Sequence, residues 1–306
     1  MSKKHNTIVQ KQFSETADAF SEFAVRDTDD VLADRVEFAK PQPGELALDV
    51  ACGPGALVLA LAPRLGFARG IDLTHQMLLR AVALKAERGI ANACFDEGEG
   101  EQLPYPNATF DLVTCQFALH HVVKPQAVVR EMARVTKPEG RLLIADTLGP
   151  ESDEKWELHN RIEILRDPSH VAALRLTTFL SLFEDLELLP VRQTTKPRPR
   201  RFDLWMLRAG LEPSHSRYRE VRKLIEDAIP GDRAGFAALP DGDNLIITHY
   251  EGMFLLRRTT DDKQQEAGRE GSGLQCRTPV RLSGKRGPRK HRLAPTSVFY
   301  NMPSNS

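Results

Sequence analysis

Near residue 50 an apolar run ends in a carboxylate and a turn of small residues. The run Leu46–Val50 is apolar apart from Asp49, and the small residues extend from Ala51 to Gly55. A second apolar run, rich in helix-forming residues, begins at Ala56 and extends to about residue 62. This order predicts a strand, a tight turn and a helix, the unit that brings a nucleotide-like ligand against the backbone at the N-terminus of a helix.

The position of Asp49 indicates which ligand the turn binds. In a dinucleotide-binding fold the turn contacts a pyrophosphate, which a carboxylate at the end of the strand would repel. The third glycine of the G-x-G-x-x-G motif is also missing, because position 58 is Val58. A ligand with a cationic amino-acid end would be attracted instead, and S-adenosylmethionine has an α-ammonium and a sulfonium. The sequence favours this ligand over a nicotinamide dinucleotide, with a purely structural turn as the alternative.

Two further acidic positions follow predicted strands. Asp72 stands near the end of the predicted strand Ala68–Leu73, about where an acid meets the ribose hydroxyls of an adenosine. Charge at a helix N-terminus is the other interpretation, because Thr74 is a good N-cap. The loop Glu97–Tyr105 is rich in carboxylates and glycines, which can meet an adenine through a side chain and a backbone N–H; a solvated turn is the alternative.

The elements that position these residues alternate between strand and helix. The pattern predicts a strand at Phe110–Cys115, a helix at Gln126–Thr136 and a strand at Arg141–Ala145. Such alternation predicts an α/β fold with a parallel sheet and right-handed crossovers. Residues 150–190 are expected to be mainly helical, and a basic, proline-rich edge strand or loop is expected at 196–201. A helical insertion at about 201–240 precedes the predicted final strand, Leu245–Leu256.

The two ends of the chain differ from the region between them. Residues 8–40 have an amphipathic helical pattern, which predicts an N-terminal helical lid over residues 1–40, with a plain packing helix as the alternative. Residues 259–306 lose apolar periodicity and carry seven Lys or Arg between Arg277 and Arg292. That composition is typical of a disordered basic tail, and residues 41–258 are predicted to form the folded domain.

Composition argues against several classes of partner. The 306 residues contain 42 Lys and Arg and 42 Asp and Glu, so no global positive field draws the protein to nucleic acid or to an anionic membrane. The chain has no apolar run of membrane-spanning length and no signal peptide, which predicts a cytoplasmic protein. The four cysteines lack C-x-x-C spacing, so the sequence suggests neither a disulfide framework nor a metal site.

With these motifs together, the chain resembles the class I S-adenosylmethionine-dependent methyltransferases, in particular the ubiquinone/menaquinone-biosynthesis-like group often called methyltransferase type 11. The resemblance covers roughly residues 8–258. The motifs that carry it are Leu48-Asp-Val-Ala-Cys-Gly-Pro-Gly55, Gly70-Ile-Asp-Leu-Thr74, Gly98-Glu-Gly-Glu101, Phe110-Asp-Leu-Val-Thr-Cys115, Leu119-His-His121 and Val135-Thr-Lys-Pro-Glu-Gly-Arg-Leu142. It implies a Rossmann-like, doubly wound, seven-stranded and mostly parallel sheet with helices on both faces.

The resemblance also implies a role for each residue of the cofactor site. The methionine moiety would be held by Asp49, Ala51, Cys52, Gly53 and Gly55, and the ribose diol by Asp72. The adenine would be flanked by Leu73 and Met77 and contacted by Glu99 and the backbone of Gly100, with Gln116 closing the pocket. The chain departs from the family pattern in having Ala51 for a glycine and Glu99 for the more usual aspartate.

The implied reaction transfers a methyl group to the oxygen or carbon of a small-molecule acceptor, quinone-like or a secondary metabolite. Positioning can supply much of the acceleration, and a general base is typically worth about 10²–10⁴-fold more. His120 and His121 follow the fourth strand, and His121 is the candidate base; His170 and His249 are more distant options. Hydrogen-bonded packing is the alternative for every histidine, and a non-catalytic cofactor-binding protein, a nicotinamide dehydrogenase and a nucleic-acid methyltransferase remain alternatives for the chain.

Overall fold

The structure is a computed structural model that describes residues 2–17 and 29–259. The predicted tail, apart from Thr259, and part of the predicted lid therefore lie outside the described residues. The nine strands of the described residues are β1 (Leu46–Val50), β2 (Phe67–Asp72), β3 (Ala93–Glu97), β4 (Phe110–Gln116), β5 (Thr136–Gly149), β6 (Leu174–Arg175), β7 (Leu188–Arg201), β8 (Leu239–Asp241) and β9 (Asn244–Arg258).

Helices cover both faces of the sheet formed by these strands. The α-helices of the described residues are α1 (Ser2–Glu15), α2 (Asp29–Ala39), α3 (Ala56–Leu61), α4 (His75–Glu87), α5 (Pro125–Val135), α6 (Asp153–Arg166), α7 (Leu176–Asp185), α8 (Phe202–Leu207) and α9 (Ser216–Ala228). Short 3-10 turns occur at Ala62–Arg64 and Leu119–His121. Across residues 2–17 and 29–259, none of the helices has the length and apolar character needed to cross a bilayer.

The sheet has the predicted doubly wound topology. Its main path is β3-β2-β1-β4-β5-β9-β7, with β6 beside β5 and β8 beside β9. The first five strands of this path pair in parallel, and β9 is antiparallel to both of its neighbours. The prediction of a seven-stranded, mostly parallel sheet is confirmed for the main path. The two additional strands are too short, at two and three residues, to leave a periodic signal in the sequence.

Strand register brings the predicted site residues to one edge of the sheet. Asp49 of β1 pairs with Gly70 of β2 on one side and with Thr114 of β4 on the other. Gly70 is required there, since a Cβ atom would lie 2.6 Å from the Sγ of Cys52. The carboxyl ends of parallel strands meet at one edge, which is where ligands of such sheets bind.

The region after β5 contains most of what sequence patterns left open. The predicted helical region 150–190 consists of α6 and α7, separated by the short β6. The basic, proline-rich segment is the second half of β7, a strand at the edge of the sheet, where proline is tolerated because one side needs no donors. The predicted insertion contains α8 and α9, which pack around a separate cluster that includes Trp205 and Phe236.

The N-terminal helices pack against the sheet edge that carries the motifs. In α1, Gln10 donates from Nε2 to the carbonyl of Leu73 at 3.1 Å, and the Nε2 of His5 lies 3.0 Å from the carbonyl oxygen of His121. Helix α2 contributes Leu32 and Val36 to the core cluster shared with α3. Helix α1 therefore lies next to the residues that follow β2 and β4, and α2 lies next to the helix that follows the turn.

Candidate active site

A cavity of about 710 Å³ opens at the carboxyl ends of the parallel strands. One part, here called the turn end, is lined by the turn after β1, the tips of β2 and β4 and the loop after β3. The other part, here called the arginine end, is lined by residues of α6, β7, α8 and β9. The cavity has two chemically different parts, and α1 borders it as well.

Most of the residues predicted from sequence line this cavity. They are Ala51, Cys52, Gly53, Asp72, Leu73, Met77, Glu99, Gly100, Gln116 and His121. The structure does not bring Asp49 or Gly55 to the cavity wall: Asp49 lies in β1 and is 2% exposed. At Gly55 a Cβ atom would lie 2.7 Å from the ring of Phe95, so this glycine lets the turn pack against β3.

The turn itself adopts backbone conformations that favour glycine. Gly53 and Gly55 have φ values of +53° and +78°, and Ala51 has a φ of +55° although it carries a side chain. A left-handed conformation costs a non-glycine residue roughly 1–2 kcal/mol. Ala51 therefore holds the turn at a local cost in stability.

Replacing Ala51 with glycine should raise the free energy of unfolding by about 0.5–1 kcal/mol. The relief of left-handed strain exceeds the conformational entropy that glycine adds to the unfolded chain, about 0.4–1 kcal/mol. Urea denaturation followed by circular dichroism measures the change. Ala91→Gly is the matched control, because Ala91 is also exposed but has no positive φ, and it should be neutral or destabilising. Equal effects at both positions would contradict the assignment of strain to Ala51.

Asp72 connects the turn to β2 through its carboxylate. Its Oδ2 accepts from the N–H of Gly53 and its Oδ1 from the N–H of Thr74, both at 2.8 Å. Burial raises the pKa of Asp72, and the two backbone N–H groups act against that rise. A carboxylate has about four acceptor positions, so capacity remains for hydroxyl donors of a ligand.

Asp49 lies beneath the turn with one oxygen satisfied. Its Oδ1 accepts from the Oγ1 of Thr114 at 2.6 Å, whereas its Oδ2 is buried and has no hydrogen-bond partner among the described residues. Burial raises the pKa of Asp49 to about 7, against the effect of Thr114 and with a contribution from the charge of Asp72. A buried carboxyl with an unpartnered oxygen is well suited to interact with a cationic or donor group.

The remaining predicted residues of the turn end, Leu73, Met77, Glu99 and Gly100, also line the cavity. Met77 is buried beside Leu73, and Glu99 is exposed at the rim. Gly100 lies close to β1, since a Cβ atom there would be 3.1 Å from Cγ1 of Val50. These residues form an apolar slot with a carboxylate at its mouth.

Sequence patterns did not reveal the role of Arg35. Its Nε donates to the Oε1 of Gln116 at 3.2 Å, and its guanidinium lies 5.2 Å from the ring centroid of Phe117. Its Nη2 pairs with Glu251, and the Arg35 side chain is 0% exposed. The one sequence signal is a charged residue in the apolar pattern of α2, between Leu32 and Val36. Arg35 therefore fixes the Gln116 side chain at the tip of β4.

Two adjacent histidines occupy the border between the two ends. The Nδ1 of His120 hydrogen-bonds to the Oδ1 of Asp146 at 2.5 Å, and its Nε2 has no partner among the described residues. Burial alone would lower the pKa of His120, but the charge and hydrogen bond of Asp146 raise it above the ordinary value. His120 therefore has the arrangement of a carboxylate-oriented base.

His121, the candidate base from sequence, has a different environment. Its Nδ1 lies 3.1 Å from the Oγ of Ser169, whose hydroxyl donates to the Oδ1 of Asp167 at 2.6 Å. Its ring meets Phe13 of α1 edge-on at 5.1 Å. Burial and the neighbouring His120 lower the pKa of His121 to about 4, which keeps its imidazole neutral.

Two histidines that the sequence treats as distant options line the same cavity. The Nε2 of His170 lies 2.8 Å from the Oδ1 of Asn160, and the Nε2 of His249 lies 2.7 Å from the Oε1 of Glu163. Burial lowers the pKa of each to about 3, with Arg200 adding to the effect at His249. The sequence does not indicate this proximity, because the two histidines are far apart along the chain. The loop after α6 places His170 at the cavity, and the antiparallel strand β9 places His249 there.

Comparison with known proteins agrees with this geometry. Residues 48–144 match the methyltransferase domain family. An uncharacterized methyltransferase of Bacillus subtilis, YcgJ, is 32% identical over 198 residues, which are 65% of this chain and 78% of that protein. Its crystal structure aligns with a TM-score of 0.68 at 28% identity, over 75% of this chain and 98% of that one.

Two further proteins are similar to this chain over different shares of its length. A putative methyltransferase of Bacillus halodurans C-125 aligns with a TM-score of 0.70 at 26% identity, over 75% of this chain and 99% of that one. A demethylmenaquinone methyltransferase of Halalkalibacterium halodurans is 37% identical over 112 residues, which are 36% of this chain and 46% of that protein. This chain thus spans about half of the menaquinone relative and nearly all of the two solved structures. From its strand order, its glycine turn and these relatives, the chain belongs to the class I methyltransferase family.

Proposed function

We propose that the protein is an S-adenosylmethionine-dependent methyltransferase that methylates an oxygen or carbon atom of a small molecule. The observation that carries the proposal is the pair of acids at the tips of β1 and β2. Asp49 has a buried oxygen without a partner among the described residues, and Asp72 stands beside the turn on the cavity wall. A cationic amino-acid end and a ribose diol are the two groups that such a pair would recognise.

The residues around the turn fit this cofactor. The α-ammonium would lie over the turn, within the field of Asp49, and Asp72 would accept from the ribose hydroxyls. Leu73 and Met77 would border the adenine, with Glu99 at its amino group. When bound, the cofactor supplies a methyl group already activated by a sulfonium leaving group. The protein has to hold the acceptor in line with that methyl group and exclude water.

The dimensions of the cavity support a small-molecule acceptor. Its volume of about 710 Å³ lies within the range of sites for small ligands, roughly 300–1,000 Å³. Residues of α1, including Phe13, and of β7 enclose it from two sides. Demethylmenaquinone methyltransferases are among the relatives, which supports a quinone-like acceptor. A nucleic-acid substrate gains no support from a chain whose formal net charge is +0.

His120 is the residue that we propose as the general base. A base works best when its pKa lies near the operating pH, and Asp146 raises the pKa of His120 whereas that of His121 is lowered to about 4. Asp146 holds the Nδ1 of His120, which leaves Nε2 to take a proton from the acceptor. Sequence reasoning chose His121, and that choice stays a prediction to be tested against His120.

The domain organisation is part of the same proposal. Residues 1–40 would act as a lid, since α1 borders the cavity and bonds to Leu73 and to the backbone of His121. Residues 41–258 would form the catalytic domain, with the insertion at about 201–240 closing the arginine end. The protein would work in the cytoplasm, and the tail after residue 258 would take no part in cofactor binding.

Titration with S-adenosylhomocysteine across a range of pH tests the cofactor proposal. As the pH increases toward 7, the affinity should rise by up to about tenfold per pH unit, and above pH 7 it should stay constant. The reason is that Asp49 must ionise to attract the ligand's ammonium. Asp49→Asn should bind more weakly and lose this pH dependence, and Asp49→Ala should also bind weakly. Isothermal calorimetry measures both effects.

Removal of residues 262–306 is the matched control for this titration. No residue beyond Glu251 lines the cavity within the described part of the chain, so the shortened protein should keep its affinity and its pH profile. Absence of detectable heat with the full chain would refute the cofactor assignment. Binding without release of labelled methyl groups to any compound of a metabolite screen would support a non-catalytic binding protein instead.

A further inference from the structure

Three cations alternate along the second half of β7, and two of them, Arg198 and Arg200, line the cavity. Lys196, Arg198 and Arg200 are half-buried and alternate with the exposed Pro197 and Pro199. Successive side chains of a strand point to opposite faces, so the three cations share one face of β7. The basic segment seen in the sequence is therefore not a solvated loop but one wall of the arginine end.

Carboxylates neutralise two of these three cations. The Nζ of Lys196 lies 2.6 and 2.7 Å from the two carboxylate oxygens of Asp34. The Nε of Arg198 donates to the Oε2 of Glu251 at 2.7 Å, and its Nη2 lies 3.3 Å from Asp34. These pairs attach β7 to α2 and β9 and give each of the two cations a carboxylate partner.

The third cation has no such partner. Arg200 stands opposite Ile247 in the register of β7 with β9, and its side chain forms no hydrogen bond or ion pair with any residue of 2–17 or 29–259. Its side chain lines the cavity. A half-buried guanidinium with an apolar residue opposite it is an incomplete site, since charged groups inside a protein are normally paired.

The charged groups around Arg200 do not complete that site. Burial and the like charges of Arg208 and Arg166 lower the pKa of Arg200 to about 10. The nearby carboxylates are already engaged: Glu163 by His249 at 2.7 Å and by Arg166 at 3.6 Å, and Glu251 by two arginines. Among the described residues, therefore, no carboxylate pairs with Arg200.

Arg166 is held in an orientation that suits a ligand in the same space. Its Nε donates to the carbonyl of Trp205 at 3.0 Å, and its guanidinium lies 4.6 Å from the centroid of the Trp205 ring. A guanidinium fixed on an aromatic face presents its remaining N–H donors in a defined plane, which suits the two oxygens of a carboxylate or phosphate.

We propose that Arg200, with Arg166 beside it, binds an oxyanion, a carboxylate or a phosphate, carried by the methyl acceptor. This inference rests on the proposed function and assigns the arginine end to the anionic part of the acceptor. The anion would fix the acceptor at one end of the cavity while its nucleophilic atom reaches the border near His120.

Probe anions test this assignment. With S-adenosylhomocysteine bound, the full chain is titrated calorimetrically with benzoate, phenyl phosphate and the neutral analogue benzyl alcohol. At least one of the anions should bind about tenfold or more tightly than benzyl alcohol, because hydrogen bonds to charged groups are worth roughly 1.5–3 kcal/mol. The stronger of benzoate and phenyl phosphate identifies which oxyanion the site prefers.

Variants of β7 separate the site from general electrostatics. Arg200→Met should lose about tenfold or more of the anion affinity, and Arg200→Lys should retain part of it. Arg192→Met is the matched control, because Arg192 lies on the same strand, pairs with Glu37 at 3.9 Å and does not line the cavity. This variant should keep the anion affinity of the unaltered protein. Retained S-adenosylhomocysteine affinity shows that each variant is folded.

The outcomes distinguish this inference from the function on which it rests. If S-adenosylhomocysteine binds but neither anion is preferred over benzyl alcohol, the oxyanion site is wrong and the cofactor proposal stands. The same conclusion follows if Arg200→Met keeps the full anion affinity. If S-adenosylhomocysteine itself does not bind, it is the proposed function that fails.

Discussion

Replacement of Asp72 with alanine should weaken the binding of S-adenosylhomocysteine by about 100-fold or more. The substitution removes the carboxylate that would accept two hydrogen bonds from the ribose hydroxyls, each worth roughly 1.5–3 kcal/mol with a charged partner. The N–H groups of Gly53 and Thr74, which donate to this carboxylate at 2.8 Å, would also lose their acceptor. The turn would then lose the hydrogen bond from Gly53 to β2 and keep the backbone bond from the N–H of Cys52 to the carbonyl of Ile71 at 3.0 Å. Calorimetric titration of the purified variant measures the change.

Two further variants separate the ligand contacts of Asp72 from its structural contacts. Asp72→Asn keeps one acceptor oxygen and should bind with intermediate affinity. Asp111→Asn removes a carboxylate that pairs with Lys137 and does not line the cavity, so its affinity should be unchanged. An affinity of Asp72→Ala equal to that of the unaltered protein would exclude this residue from the cofactor site.

Replacement of His120 with alanine should lower kcat/KM by about 10²–10⁴-fold, the usual contribution of a general base. The affinity for S-adenosylhomocysteine should stay the same, because Nε2 of His120 is assigned to the acceptor and not to the cofactor. Transfer of labelled methyl to an acceptor identified by a metabolite screen measures the rate. His121→Ala is the comparison, and a large loss of rate there with little loss at His120 would reverse the assignment.

The pH profile should distinguish catalysis by His120 from a packing role. His120 accepts a proton only in its neutral form, so activity should fall as the pH decreases through its pKa, which Asp146 raises. In Asp146→Asn the charge that raises this pKa is gone and burial lowers it, so the acidic limb should move to lower pH. A limb that does not move would contradict the pairing of His120 with Asp146 as the catalytic unit.

Part of the site follows from local pattern because its geometry is local. The strand, turn and helix around Gly53 lie within one short segment, and Asp72 ends the very next strand. Parallel strands bring their carboxyl ends to one edge, so the end of each strand marks a position in the cavity. This is why the turn residues and Asp72 could be assigned to a ligand site from local pattern, whereas the roles of Leu73 and Gly100 came from the resemblance to the family.

Other features have partners that the sequence does not indicate. The ion pair of Arg35 with Glu251 joins residues 216 positions apart, and the pair of His249 with Glu163 spans 86. Neither residue type nor spacing indicates which carboxylate a buried cation will meet. The positive charge along β7 is visible in the sequence. Which of its cations meet a carboxylate, as Lys196 and Arg198 do, depends on the register with β9 and on the position of α2.

The sequence by itself determined the fold class, the turn and the acids at two strand tips, because these depend on periodicity and on residues adjacent in the chain. The tertiary structure alone decided which side chains share the cavity. It placed Asp49 beneath the cavity wall, paired His120 with Asp146, and gave Arg200 no carboxylate partner within residues 2–17 and 29–259. The physical reason is that pairing and burial depend on distances through space, which strand order and register set only after the chain has folded.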